Sequence, residues 1–322
     1  MLAVRIENRQ LKIVEMRKPR PGRGQALLRL RLAGICNTDL ELLRGYYGFS
    51  GVPGHEFVAD VVAASDAKLV GKRVVGEINL ACGRCTFCSQ GLGRHCARRT
   101  VLGIVRHPGA FAEYLTLPEE NLRVLPHSIS DEEAVFTEPL AAACEILDQV
   151  RFQKGAAVAV LGDGKLGLLI AQVLHLAGLK VELFGRSRSK LSIVAPMGIA
   201  THILSRDHPR LPTGVYPYVV EASGTVAGFE AAAKMVSPRG VIVMKSTIAE
   251  AVPVDFAPLI VNEITLVGSR CGRFDAALKL LKRRELRLEP MISRRMGLHE
   301  AVEAFSVAAQ RGILKVLLKP EA

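Results

Sequence analysis

The stretch "AAVAVLGDGKLGLLIAQVLHLAGLKVELFGRSRSK" leaves few folds open to this 322-residue chain. Residues 156–161 form an unbroken apolar run, as expected of a strand buried on both faces. Gly162-x-Gly164-x-x-Gly167 follows at once, then a helical period running to about Gly178, then a second strand. A lone G-x-G-x-x-G is weak evidence. Set between strand and helix, it predicts the first crossover of a doubly wound parallel sheet and a turn that cradles a dinucleotide pyrophosphate. Gly162 makes the turn, Gly164 lets backbone approach the phosphates, and Gly167 packs helix on strand. Lys165 and Leu166 open the helix, whose positive end faces the anion.

The end of the second strand qualifies the nucleotide. A carboxylate there would hold the ribose 2′-hydroxyl of NAD. The chain instead reads Phe184-Gly185-Arg186-Ser187-Arg188, two guanidiniums and a hydroxyl suited to a 2′-phosphate. NADP(H) is therefore expected over NAD(H). Aspartate at 185 with a neutral residue at 186 is expected to reverse that preference. The competing reading is an exposed basic turn.

Four of the seven cysteines lie in "ACGRCTFCSQGLGRHC", at 82, 85, 88 and 96. Thiolates from one short glycine-bearing loop can close a tetrahedron around zinc. Cysteines three apart pair poorly as disulfides. An iron–sulfur run of the ferredoxin type has its fourth cysteine after three residues and before proline. Here the gap is seven and Ala97 follows, which favours zinc. Four thiolates saturate the ion, so this loop is scaffold and the chemistry must lie elsewhere.

Upstream, "AGICNTDLELLRGYYGFSGVPGHEF" places Cys36 and the pair His55-Glu56 beside glycines. Alone, each is more often an ordinary buried residue. With the four-cysteine loop and the nucleotide turn, the chain resembles the zinc-dependent medium-chain dehydrogenases, the family of alcohol, sorbitol, threonine and glucose dehydrogenases. In that family G-x-C-x-[TS]-D and G-H-E supply the catalytic zinc. "FTEPLAAACEIL" resembles the Glu-Pro-Leu of the polyol and sugar branch, which assigns Cys36, His55 and Glu138 to that zinc with Glu56 beside it. The division between Glu138 and Glu56 stays open. Thr38 resembles the hydroxyl that first accepts the alcohol proton; where some relatives pass it to a histidine, this chain has Glu41.

The resemblance implies a GroES-like, partly open β-barrel catalytic domain over 1–138 and 265–322. A Rossmann domain over 139–264 is inserted in it. "GVIVMKST", carrying Ser246, would end beside the nicotinamide, and "TLVGSRCG" would return the chain with Arg270 near the cofactor. Two zinc ions per chain, NADP(H), and a small alcohol or carbonyl substrate follow, with a homo-oligomer (dimer or tetramer) as the family's habit. Two rivals remain for the function: a carbonyl reductase working in the reverse direction, and a non-catalytic NADPH-binding regulator.

The net charge of +12 raises the question of nucleic acid. The first 31 residues carry nine Lys/Arg against two acids, but the basic residues follow strand and helix periods with no basic arm. A solvated basic surface is the expectation, with no nucleic-acid partner. The longest apolar stretch is broken by Gln172, His175 and Lys180 and is too short to span a bilayer. Without a signal-peptide pattern at the N-terminus, a cytoplasmic protein is expected.

Overall fold

A computed structural model of the chain describes residues 1–205, 211–247 and 254–320. The chain divides into two compact units, Met1–Glu138 with Phe274–Ala322, and Pro139–Arg273.

The first unit is built on a seven-stranded sheet. Its order is Leu122–Val124, Arg73–Gly76, Glu56–Ala63, Gln25–Gly34, Lys315–Lys319 and Ile292–Gly297, with Tyr114–Pro118 also pairing with Gln25–Gly34. The central strand Gln25–Gly34 alternates as a half-buried strand should. Leu28, Leu30 and Leu32 turn into the core, while Arg29 and Arg31 face out. Those arginines meet acids across the sheet: Arg29 pairs with Asp60 at 3.1 Å and Arg31 with Asp131 at 2.8 Å, where Arg73 also binds at 2.8 Å. Part of the N-terminal positive charge is thus absorbed by the fold itself. The chain's last described strand, Lys315–Lys319, lies against Gln25–Gly34 with Leu317 opposite Gly34. That pairing brings the C-terminal segment back to the first unit.

A small three-stranded sheet, Asn79–Leu80, Thr100–Leu102 and Arg106–His107, carries the four-cysteine loop. Gly83 and Gly91 sit in the left-handed region (φ 70° and 74°), where a side chain would be strained, and let the loop close.

The second unit holds six strands: β1 Ala157–Leu161, β2 Lys180–Gly185, β3 Ala200–Ile203, β4 Tyr216–Glu221, β5 Val236–Met244 and β6 Thr265–Gly268. Every pairing is parallel, in the order β3-β2-β1-β4-β5-β6. The order reverses beside β1, which is where a doubly wound sheet takes its ligand. The helix Lys165–Leu176 buries every residue from Gly167 to Leu174, as the apolar run demands. One boundary differs from the sequence expectation. Thr265–Gly268 does not return the chain to the first unit; it pairs with β5 and completes this sheet, so the crossing falls at Arg273.

Candidate active site

Strand register assembles the candidate metal site in the first unit. Gly34 lies directly opposite Glu56 in the antiparallel pair. Cys36, two residues past Gly34, and His55, one before Glu56, therefore leave neighbouring strands at the same end. The ligand atoms of Cys36, His55 and Glu56 all lie within 4.8 Å of one another. Two glycines permit this approach. A Cβ at Gly34 would fall 2.7 Å from Glu56 Oε2, and one at Gly54 (φ 102°) would fall 2.5 Å from the Phe111 ring. Glu138 stands in the first turn of the helix Thr137–Gln149 and is not a member of that three-residue cluster.

Asp39 holds two of the cluster's members. One carboxylate oxygen accepts the Cys36 backbone N–H at 2.8 Å, capping the helix Asn37–Leu43, and the other lies 3.2 Å from His55 Nδ1. The second contact is electrostatic rather than a well-aligned hydrogen bond, since neither atom makes one. With Nδ1 against Asp39, Nε2 is the His55 nitrogen left to serve as a ligand. Burial would lower the pKa of His55, but Asp39 and then Cys36 more than offset it, and the net shift is upward. A field that favours an imidazolium here favours a metal cation as well.

Glu56 is held by a residue from the far end of the chain. Its Oε2 accepts a hydrogen bond from Lys315 Nζ, and both side chains are buried. Burial acts to lower the pKa of Lys315, yet Glu56 and Cys36 raise it overall, so the ammonium persists. The other oxygen, Oε1, is buried without a hydrogen-bond partner. A thiol, an imidazole nitrogen and a carboxylate oxygen converge here, and a divalent cation of the zinc type fits that donor set. Thr38 Oγ1 lies 3.8 Å from Cys36 Sγ, at the rim of the cluster. Glu41 is drawn outward into an ion pair with Arg44 at 2.6 Å.

The four-cysteine loop gathers as its spacing predicts. Cys85 Sγ lies 3.4 Å from Cys88 and 3.6 Å from Cys96, and Cys82 Sγ lies 4.0 Å from Cys88. A tetrahedron with Zn–S bonds of about 2.3 Å would set its sulfurs about 3.8 Å apart. All seven cysteines are free thiols. The Arg84 backbone N–H draws the Cys82 thiol down to about 6, while desolvation and then Cys85 push Cys88 up to about 11, so without a metal the loop holds a thiolate at Cys82 and a thiol at Cys88.

In the second unit the three glycines separate by cause. Gly162 has φ 119°, and a Cβ there would meet the Ala222 carbonyl oxygen at 2.6 Å. A Cβ at Gly167 would fall 2.0 Å from the Gly162 carbonyl oxygen, so this glycine is demanded by packing. Gly164 is different: φ is −76°, and a Cβ there would meet nothing within 4 Å. The protein's own packing does not require glycine at 164. Gly164 is the N-cap of the helix Lys165–Leu176 and makes no side-chain cap bond, so the positive end of that helix lies at the glycine turn.

The turn after β2 holds a surprise. Asp163, between the first two glycines, accepts the backbone N–H of Arg186 at 2.8 Å and of Ser187 at 2.7 Å through one oxygen. The carboxylate at this place comes from the glycine turn rather than from the end of β2. Arg186 and Arg188 are exposed and, among the described residues, pair with no acid. The Ser187 hydroxyl is already engaged with Lys190 N at 3.4 Å and with the Ser189 hydroxyl at 2.9 Å. Aspartate at 185 is also excluded, since a Cβ there would lie 2.5 Å from the Asp163 Cβ. Past β5, Ser246 Oγ accepts the Gly224 N–H at 2.7 Å, and the Arg270 carbonyl accepts from Lys245 Nζ at 2.8 Å.

Comparison with known proteins decides the family. Residues 22–127 match the alcohol dehydrogenase GroES-like domain, and residues 166–283 match the zinc-binding dehydrogenase domain. The alcohol dehydrogenase TADH from Thermus sp. ATN1 superposes with TM-score 0.90 at 31% identity, covering 100% of each chain. The chain belongs to the zinc-dependent medium-chain dehydrogenases. A zinc-binding dehydrogenase of Sinorhizobium meliloti, solved bound to NADP, shares 29% identity with TM-score 0.89 over 99% of each chain. A sorbitol dehydrogenase of Halalkalibacterium halodurans is 28% identical over 96% of this chain and 95% of its own length. This medium-chain dehydrogenase therefore has the GroES-like and Rossmann folds that the sequence resemblance implied, and it is an oxidoreductase of the alcohol dehydrogenase class. Among the described residues, no helix is long and apolar enough to cross a membrane.

Proposed function

We propose that the protein is a zinc-dependent dehydrogenase that moves a hydride between a polyol, sugar or simple alcohol and NADP. The observation that carries this is the convergence of Cys36, His55 and Glu56 within 4.8 Å, with the Thr38 hydroxyl beside them. Kinship with a sorbitol dehydrogenase supports the polyol end of that range.

Cys36, His55 and Glu56 would hold the catalytic zinc, and Cys82, Cys85, Cys88 and Cys96 the structural one. Glu56 takes the carboxylate place in this reading because it belongs to the cluster and its Oε1 lacks any other partner. Glu138 then acts from the neighbouring helix. When bound, zinc would act as a Lewis acid on the substrate oxygen and the nicotinamide as hydride acceptor.

The chain's own residues do the rest. Asp39 engages Nδ1 of His55 and leaves Nε2 as its ligand nitrogen, and Lys315 holds one oxygen of Glu56. The Thr38 hydroxyl would relay the substrate's proton, accepting it at Oγ1 while its own proton passes to solvent water. The Gly162–Gly167 turn and the N-terminus of the helix Lys165–Leu176 bind the pyrophosphate. Arg186 and Arg188 meet the 2′-phosphate, and charge-assisted bonds of this kind contribute ~1.5–3 kcal/mol before exposure weakens them.

The test is a panel of polyols, sugars and simple alcohols assayed with NADP⁺ and NAD⁺ at matched ionic strength. Turnover of at least one alcohol is expected, with NADP⁺ favoured by one to three powers of ten in kcat/KM, about 1.4 kcal/mol per decade. A protein that binds the dinucleotide yet oxidises and reduces nothing across the panel would be a regulator instead.

A further inference from the structure

We infer that Asp163 is a positioning residue for cofactor choice: it clamps the turn 185–188 so that Arg186 and Arg188 stand ready for a 2′-phosphate. The inference rests on the proposed NADP reading of that turn.

A strand end carrying two exposed arginines and a serine has no reason of its own to keep one conformation. Here the turn is tied back to β1 at three points. Gly162 donates its N–H to the Phe184 carbonyl at 2.9 Å. One oxygen of Asp163 accepts from the N–H groups of both Arg186 and Ser187, at 2.8 and 2.7 Å. The Asp163 side chain also fills the space over Gly185, where a Cβ would sit 2.5 Å away. Gly185 and Asp163 are therefore matched: the absence of a side chain at one admits the carboxylate of the other.

The clamp has an electrostatic consequence. The two N–H groups converge on one Asp163 oxygen and are not offered to a ligand. Recognition of a 2′-phosphate must then come from side chains. The Ser187 hydroxyl accepts the Lys190 N–H as a helix cap and shares a hydrogen bond with the Ser189 hydroxyl, so the charge of a 2′-phosphate is met by the guanidiniums of Arg186 and Arg188. Neither has a carboxylate partner among the described residues. A dinucleotide lacking the 2′-phosphate asks nothing of those guanidiniums and should be indifferent to the clamp.

The experiment titrates NADPH and NADH into the purified full chain, following nucleotide fluorescence, for the unmodified protein and for Asp163→Ala, Asp163→Asn and Arg186→Ala. Asp163→Ala should weaken NADPH tenfold or more and leave NADH within threefold. Asp163→Asn keeps an acceptor oxygen and should hold NADPH within threefold of the unmodified protein. In the double variant, the Asp163→Ala and Arg186→Ala losses should fall short of additive, as for residues acting through one contact. Hydrogen exchange on the cofactor-free protein tests the clamp separately. The Arg186 and Ser187 amides should lose protection in Asp163→Ala and keep it in Asp163→Asn. Unchanged protection, or equal loss of both dinucleotides in Asp163→Ala, would overturn the inference. A tenfold loss of NADH in Asp163→Asn would do so as well, by assigning the carboxylate to the ribose. Tighter binding of NADH than NADPH by the unmodified protein would sink the NADP reading instead, whatever the exchange data say of the clamp.

Discussion

Lys315 and Glu56 form an ion pair with both side chains 1% exposed, between residues 259 positions apart in the chain. Two charges out of water stabilise a fold only weakly as a pair, but removing one leaves the other uncompensated. Lys315 donates to Glu56 Oε2 and stands 5.6 Å from the Phe136 ring, in a niche that Gly34 keeps open. Lys315→Met should therefore lower the stability of the metal-stripped protein by ~3–5 kcal/mol in urea unfolding. Adding Glu56→Gln to it should recover most of that loss. A cost under about 1 kcal/mol for Lys315→Met would place the pair in solvent reach, at the worth of a surface bridge.

Asp39 supports two candidate ligands with one buried carboxylate. Asp39→Asn keeps the cap on Cys36 N but removes the charge facing His55. Outer partners of metal ligands are worth roughly 10–100-fold in metal affinity. Chelator competition on the variant should show a loss of that size at the candidate site of Cys36, His55 and Glu56 and none at the four-cysteine loop. Equal loss at both, or no loss, would contradict the placement.

The four-cysteine loop should matter to folding and not to chemistry. Cys88→Ser should lower the metal content by one ion per chain and the thermal midpoint by several degrees, since a structural zinc contributes folding free energy directly. Turnover per folded molecule should stay within about twofold, because a saturated site has no position to offer a substrate. Loss of turnover at full folded fraction would move the loop into the chemistry.

Gly185→Asp is the textual recipe for turning an NADP enzyme toward NAD, and here it should fail. The new Cβ would meet the Asp163 side chain at 2.5 Å, and two carboxylates would crowd one turn. The variant should lose affinity for both dinucleotides by tenfold or more in fluorescence titration. A clean switch to NAD would mean that Asp163 swings aside at little cost.

What the sequence displayed was local. The glycine turn, its flanking strand and helix, and the four cysteines all lie within short stretches whose spacing has few uses. Cys36 and His55 were legible through their glycine-flanked motifs. Three roles were not legible, each because register creates it. Asp39 was visible only as part of a motif, and its hold on His55 depends on Gly34 facing Glu56. Lys315 looks like one more basic residue in a basic chain until its strand is laid beside Gln25–Gly34. Asp163 sits inside the glycine motif at a position any residue can fill, and its partners come 23 and 24 residues later. The second domain boundary was misplaced for a similar reason, since an edge strand of the parallel sheet and a returning linker read alike in "TLVGSRCG".

The most direct test of zinc-assisted hydride transfer at Cys36, His55 and Glu56 is to measure zinc content and alcohol oxidation on one preparation each of the unmodified protein and Cys36→Ser. The unmodified protein should hold about two zinc ions per chain, one for each cluster, and turn over. Cys36→Ser should hold about one, keep NADPH binding within threefold, and lose at least a thousandfold in kcat, about 4 kcal/mol at 1.36 kcal/mol per decade. Full zinc and near-normal turnover in Cys36→Ser would show that the chemistry lies at another site.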